Sequence, residues 1–300
     1  MQRPLLIIAL LVMLVPSSAW ANEQQGWDAY LNGNYNAAML QWLPEAGRGN
    51  AELQHMIGFM YMQGQGLTRD FSLAKHWFEK AAAQDYAAAM FAIGSLHENG
   101  FGVIQSNQQA LQWYQRAADK GFMHGQLYLG LQYANGGIVE QNYGKAIHWL
   151  AQAATANEPA AQHYLALFYQ KGLGTKQNIA TAMIWFEKAA NQGFAQSQVS
   201  LGEIYLAGDE IKQDTYLAME WFFKAAAQGD ANAQYALGKI YFIGTDVIAN
   251  RHYANRWLKR AASQGHEMAN KTLRELKQEQ ASNRQKYPSL HYSSVYNDFG

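Results

Sequence analysis

Histidine is the side chain through which a protein most readily moves protons or holds a metal near neutral pH. This chain scatters nine of them in no pattern that such chemistry needs. No H-E-x-x-H, G-x-S-x-G or G-x-x-x-x-G-K-[ST] string occurs, so metal-assisted hydrolysis, nucleophile-elbow acyl transfer and phosphate cradling have no footing. His55 and His163 lie far apart in the chain. His76 and His148 each precede a Trp and are expected on a partly exposed helix surface, while His97 stands where matching segments carry Tyr and reads as a core substitution. The pair Asp209-Glu210 falls in a loop and reads as a solvated turn. The chain has no Cys, which removes disulfides, thiolate ligands and Cys nucleophiles together. The expectation is no catalytic residue, no metal site and no cofactor. What remains is recognition, which needs a surface and elements to hold it.

Those elements are written as a repeat. HWFEKAAAQD from His76 returns as QWYQRAADKG from Gln112, HWLAQAATAN from His148, IWFEKAANQG from Ile184, EWFFKAAAQG from Glu220 and RWLKRAASQG from Arg256, every 36 residues. Six gapless blocks start at Ala51, Ala87, Met123, Pro159, Ala195 and Ala231. Position fourteen is always Gly (Gly64, Gly100, Gly136, Gly172, Gly208, Gly244) and position twenty-seven always Trp (Trp77, Trp113, Trp149, Trp185, Trp221, Trp257). Position twenty-four is always Ala, and positions thirty-one and thirty-two are always Ala-Ala. In the fifth block Ser197, Leu201, Ile204 and Tyr205 form the stripe of an amphipathic helix. The Gly at position fourteen ends it, because Gly enters the left-handed cap conformation without a Cβ clash. Position twenty is Asp70, Ser106, Asn142, Asn178, Asp214 or Asn250, all good N-caps for a second helix. Each block is thus a predicted helical hairpin. Two helices of this length cannot bury their own apolar faces, so hairpins must stack into an α-solenoid. The six Trp are expected to fill the groove between helices, with Ala74, Ala81, Ala82 and their copies letting backbones approach.

The ends depart from the pattern. Residues 1–21 place Arg3 before an apolar run from Leu5 to Val15 and finish in Ala19-Trp20-Ala21, the form of a secretory signal cleaved after Ala21. Residues 22–50 read as a shorter hairpin turning at Asn32-Gly33, with Trp42 as its comparable aromatic. The blocks occupy 51–266 (51–86, 87–122, 123–158, 159–194, 195–230 and 231–266). Residues 267–280 read as a polar capping helix carrying Ala269, Leu273 and Leu276, and 281–300 as a flexible tail whose Tyr287, Tyr292, Tyr296 and Phe299 could dock on a groove. No stretch is apolar for the roughly 20 residues that span a bilayer, so no stable membrane insertion is expected. Removing Arg3 leaves 22 Lys plus Arg against 23 Asp plus Glu, with no basic block. Nucleic acid, which is held through clustered Lys and Arg on its phosphates, is therefore not an expected partner.

Leu201-Gly202-Glu203-Ile204-Tyr205 with Gly208, the paired loop glycines Gly64 and Gly66, Gly100 and Gly102, Gly172 and Gly174, and the AxxWFxKAAxQG half resemble the Sel-like repeat, a branch of the tetratricopeptide superfamily. The third, fifth and sixth blocks depart at the last glycine, carrying Ile138, Glu210 and Asp246, so their loops are expected to differ in shape. The resemblance implies an all-α, right-handed superhelix acting as an interaction scaffold, often periplasmic or secreted in bacteria, with roles in envelope regulation, secretion or host contact. Some Cys-rich members are linked to β-lactams, which does not carry over to a chain without Cys. In such hairpins the first helices line the concave face. Positions two, five, nine and twelve share one helical face by spacing. They supply the partner-binding candidates His55, Phe59, Phe91, Leu127, Leu131, His163, Leu167, Val199, Glu203, Tyr235, Lys239 and Phe242, alongside Glu98 and others at position twelve. A surface this apolar suits a peptide or helix; the competing reading is that several of these side chains pack against the neighbouring first helix. The leading expectation is a periplasmic or secreted scaffold binding a protein or peptide. The alternatives are an exported virulence-type factor binding a host protein and, from another class, a cell-wall or β-lactam-type hydrolase.

Overall fold

The structure is a computed structural model that describes residues 17–286 apart from Glu210 and Thr245, with side chains placed over 23–279 apart from the same two. Most of the expected signal segment, and the aromatic tail from Tyr287, lie outside the described residues. The described chain is all helical: α1 (Ser17–Leu31), α2 (Tyr35–Gly47), α3 (Ala51–Gln63), α4 (Phe71–Ala82), α5 (Ala87–Asn99), α6 (Asn107–Asp119), α7 (Met123–Asn135), α8 (Tyr143–Thr155), α9 (Pro159–Lys171), α10 (Ile179–Asn191), α11 (Ala195–Ala207), α12 (Thr215–Ala227), α13 (Ala231–Ile243), α14 (Arg251–Ser263) and α15 (Glu267–Lys286). It divides into two compact units, one ending at Asn142 and one beginning at Tyr143. The division falls inside the third block, after α7. Within the first unit α1 packs on α2, α3 on α4 and α5 on α6, and each second helix packs on the first helix that follows. Within the second, α9 with α10, α11 with α12 and α13 with α14 repeat the arrangement. This is the α-solenoid class of tandem hairpins.

Local chemistry accounts for the helix ends. Gly64, Gly100, Gly136, Gly172, Gly208 and Gly244 cap the first helices with φ between +68° and +77°, a left-handed conformation that costs other residues a Cβ clash. Asp70, Ser106, Asn178, Asp214 and Asn250 each accept a hydrogen bond from the backbone N–H three residues on, at 2.9–3.2 Å, and so start the second helices. Within a hairpin the helices cross at position eight. A Cβ added to Gly58, Gly94, Gly202 or Gly238 would come within 2.6–2.7 Å of Phe78, Tyr114, Phe222 or Leu258.

These contacts correct the expectation for the Trp. The side chain that fills each hairpin lying within one unit is the residue after it: Phe78, Tyr114, Phe186, Phe222 and Leu258 are 0–1% exposed. Trp149 and Trp221 are buried, but Trp77, Trp113, Trp185 and Trp257 keep part of their surface. The Trp lies at the junction with the preceding hairpin: Trp77 packs on the cluster of Trp42, Leu53 and Ile57, Trp113 on that of Phe78 and Ile93, and Trp257 on that of Phe222 and Leu237. A cation three residues on covers the ring's outer face, as for Lys80 on Trp77 at 4.4 Å, Arg116 on Trp113 at 4.2 Å and Lys224 on Trp221 at 3.9 Å. The turn between blocks carries a polar tie that the spacing had not suggested. Buried Gln54, Gln162, Gln198 and Gln234 donate to the carbonyls of Ala46, Ala154, Ala190 and Ala226 in the preceding helix at 2.8–3.5 Å. Each also accepts from Gln84, Gln192, Gln228 or Gln264 of its own block at 2.8–3.0 Å. A buried amide so satisfied fixes hairpin register at little cost.

At the N-terminus α1 runs through Ala21, the expected cleavage point, without a break. α15 continues to Lys286, past the expected end at residue 280, because no Gly or Pro interrupts the sequence there. The first six residues of the expected tail are therefore helix. Ala269 and Leu276 are buried against α14.

Candidate functional site

The first-helix face separates into residues that close the stack and residues that stay accessible. Position five belongs to the first group. It sits where its own second helix meets the residue just before the next block, so rings gather around it: His55 on Phe78 and Tyr86 at 5.5 and 5.4 Å, Phe91 on Tyr114 and Phe122 at 4.9 and 5.5 Å, and Tyr235 stacked on His266 at 4.6 Å. His163 lies 5.5 and 5.3 Å from the rings of Phe186 and Phe194 and shares a 2.9 Å hydrogen bond between its Nδ1 and Ser197 Oγ. His163 and Val199 are each only 8% exposed. This corrects the expectation that they meet a partner, since the seam between hairpins takes them up. Burial holds the imidazoles of both His55 and His163 down to about 4, because an apolar seam disfavours the charged form. Phe242 is covered as well, by the Arg251 guanidinium 4.6 Å from its ring, which α15 anchors through Glu279 at 2.7 Å. Phe59, Leu127, Leu131 and Leu167 are half-buried, and Glu203 and Lys239 are exposed. His76 and His148 lie exposed on their helices as expected. His97 is half-buried, its Nδ1 without a hydrogen-bond partner among the described residues.

In the first unit a carboxylate is locked into this face. Tyr114 Oη donates to Glu98 Oε2 at 2.6 Å, and Tyr128 Oη donates to Glu98 Oε1. The two phenol rings lie 4.2 Å apart and Phe91 packs on both. Burial first, and then the Glu98 hydrogen bond and charge, push both phenols up. This knot joins α5, α6 and α7. No sequence signal announced it, because it depends on which turns of three helices meet.

In the second unit the same face opens into a cleft of about 290 Å³ between the fourth and fifth blocks, lined by Gln170, Gln177, Ile179, Glu203, Ile204, Ala207, Asp209 and Ile211. Burial and then the Asp230 charge raise the Glu203 carboxyl. Its surface is largely accessible, yet the cleft wall takes some of its solvent. Glu210, the partner of Asp209 in the expected solvated turn, lies outside the described residues. Among the described residues no three His, Asp or Glu side chains are grouped to hold a metal ion, and no helix is long and apolar enough to cross a membrane.

The arrangement invites comparison with known proteins. The Sel1 repeat model matches residues 51–86, 87–122, 124–158, 159–194, 195–230 and 231–266. The chain belongs to the Sel1-repeat family. Its Sel1 repeats resemble, at 30% identity and a TM-score of 0.75, a protective antigen present in uropathogenic Escherichia coli strains and displaying an SLR fold, over 85% of this chain. The chain spans 56% of that protein's length. A Sel1 repeat protein from Oxalobacter formigenes is also 30% identical, with a TM-score of 0.72 over 80% of this chain and 99% of its own. No curated protein matches the chain. Sel1-repeat proteins generally act as protein–protein interaction scaffolds.

Proposed function

We propose that this Sel1-repeat chain is an exported scaffold, periplasmic or secreted, that binds a protein or peptide along its first-helix faces and does no chemistry. The observation that carries this reading is the division of labour within the repeat. Packing is done by the same positions in block after block, whereas positions nine and twelve change from Phe59 to Ser95 to Glu203 and from Met62 to Gln170 to Leu206. Residues that vary where the fold does not constrain them are free to specify a partner. Leu131, Leu167 and Lys239 keep accessible surface there, and helix-in-groove or extended-segment recognition uses such anchors. The apolar N-terminal stretch ending in Ala19-Trp20-Ala21 supports export, and the absence of any basic block argues against nucleic acid.

The test is capture from envelope extracts with the full chain, comparing wild type, Leu131→Asp with Leu167→Asp, and Ile184→Asp on a second helix. Loss of one partner in the first variant and retention in the control is expected; equal capture by all three contradicts the reading. The likeness to a protective antigen of a uropathogen favours a host-facing version, in which the partner is a host protein. Fractionation into periplasm and medium separates the two, since the host-facing version requires the chain in the medium or at the cell surface.

A further inference from the structure

The cleft of the second unit borders a loop whose sixteenth position is not Gly. Where position sixteen is Gly, the loop after the first helix rests on the residue that begins the preceding second helix. A Cβ on Gly66, Gly102 or Gly174 would come within 2.6–2.7 Å of Tyr35, Phe71 or Tyr143. In the sixth block Asp246 stands at that position with φ of +58°, and its carboxylate accepts from Thr215 Oγ1 at 2.7 Å. The fifth block has Glu210 there in sequence, outside the described residues, and the residue that begins the preceding second helix is Ile179, which lines the cleft.

Its lining has two parts. Ile179, Ile204 and Ile211 supply an aliphatic wall, while Glu203, Asp209 and the Gln170 amide supply acceptors. Neither Glu203 nor Asp209 has a hydrogen-bond or ion-pair partner among the described residues, and the Asp230 carboxylate adds a like charge close to Glu203. Three carboxylates repel an anion. A wholly apolar occupant would strip solvent from two of them without pairing either, which is costly. A long aliphatic stem ending in a cation meets both parts, since Lys and Arg lay their methylenes on apolar surface and keep the head with charge. A volume at the lower edge of small-molecule pockets, roughly 300 Å³, suits one side chain better than a cofactor.

We propose that this cleft receives a lysine or arginine side chain of the bound protein, its stem along Ile179, Ile204 and Ile211 and its head toward Glu203 and Asp209. The inference rests on the protein-binding reading. Its test can fail separately.

The full chain, with isotope-labelled isoleucine methyls, would be titrated with acetyl-Gly-Lys-Gly-amide, its Arg counterpart, its norleucine counterpart and spermidine. With the Lys or Arg peptide, saturating shifts confined to Ile179, Ile204 and Ile211 are expected, with a Kd on the order of millimolar. Glu203→Gln and Asp209→Asn should each weaken binding about fivefold, the scale of one solvent-accessible ion pair. Because Asp209 lies in an exposed loop, its variant keeps the test valid if Glu203→Gln disturbs folding. Equal binding of the norleucine peptide, indifference to both substitutions, or saturation by spermidine where neither peptide binds would overturn the proposal. Equal partner capture by wild type and by the chain carrying both Glu203→Gln and Asp209→Asn also overturns it while leaving the scaffold reading intact. The expected peptide titration with no partner captured by either chain removes the scaffold reading and leaves the cleft's preference standing.

Discussion

Two glutamates on first helices, Glu98 at position twelve of the second block and Glu203 at position nine of the fifth, are one helical turn apart in the repeat frame and live in opposite surroundings. Glu98 takes a hydrogen bond from each of two tyrosines. Glu203 faces the Asp230 charge and a partly apolar cleft, with no hydrogen-bond partner among the described residues. The difference comes from neighbours of fixed register. Position twenty-eight is Tyr114 in the second block and Phe222 in the fifth, and position six of the following block is Tyr128 in one case and Ala236 in the other. Where both hydroxyls are present the acid becomes part of the stack; where both are missing it is left for something else to pair. One repeat geometry therefore accommodates a closed knot in one unit and an open cleft in the other.

The comparison is broken most forcefully at position twenty-eight, which both regions need. Tyr114→Ala and Phe222→Ala should each cost about 3 to 5 kcal/mol, read as a loss of the transition of the unit concerned in chemical denaturation. Equal melting of variant and wild type would show that the hairpin fills from elsewhere. Next comes the seam histidine. His163 is held down to about 4 from an ordinary value near 6.5, so the unfolded chain takes up its proton first as pH falls. Stability should be lost between about pH 6.5 and 4 and be fully present above that window, by up to roughly 3 kcal/mol from this residue. His163→Gln should flatten the pH dependence of the second unit's melting over that window; an unchanged slope contradicts the assignment.

Glu98→Ala then removes the acceptor of the buried Tyr114 hydroxyl and should cost about 1 to 3 kcal/mol in the first unit. Glu203→Ala relieves a repulsion and should move stability by less than about 0.5 kcal/mol. The contrast between these two substitutions, read by thermal melting, is the comparison in its sharpest form. Lys224→Ala, which uncovers the Trp221 ring, should cost about 0.5 to 1 kcal/mol, measured in the same way.

Much of the fold was legible because its signals are local. Gly at position fourteen needs only its own φ, and Asp70 or Asn178 needs only a backbone N–H three residues on, so helix ends follow from the string. The 36-residue period did the rest. The site was less legible because spacing tells which residues share a helix face, not what covers that face. Position five looked like groove lining until the ring before the next block closed over His55, Phe91 and His163. The Trp looked like the plug because of its size, yet the neighbouring Phe, Tyr or Leu points at the position-eight Gly and goes deeper. Glu98 and Glu203 could not be told apart from one helix alone, since their fates are set by residues 16 to 33 positions away on other helices.

Photo-crosslinking in intact cells would decide whether a partner is held along the first helices, with the second helices left to the stack. A crosslinking amino acid would be placed singly at Leu131, Leu167 and Lys239, and at Leu73, Ile184 and Tyr216 on second helices. Adducts of one partner mass are expected from the first three positions and none from the others. Adducts from Leu73, Ile184 or Tyr216, with none from the first-helix positions, would contradict that arrangement.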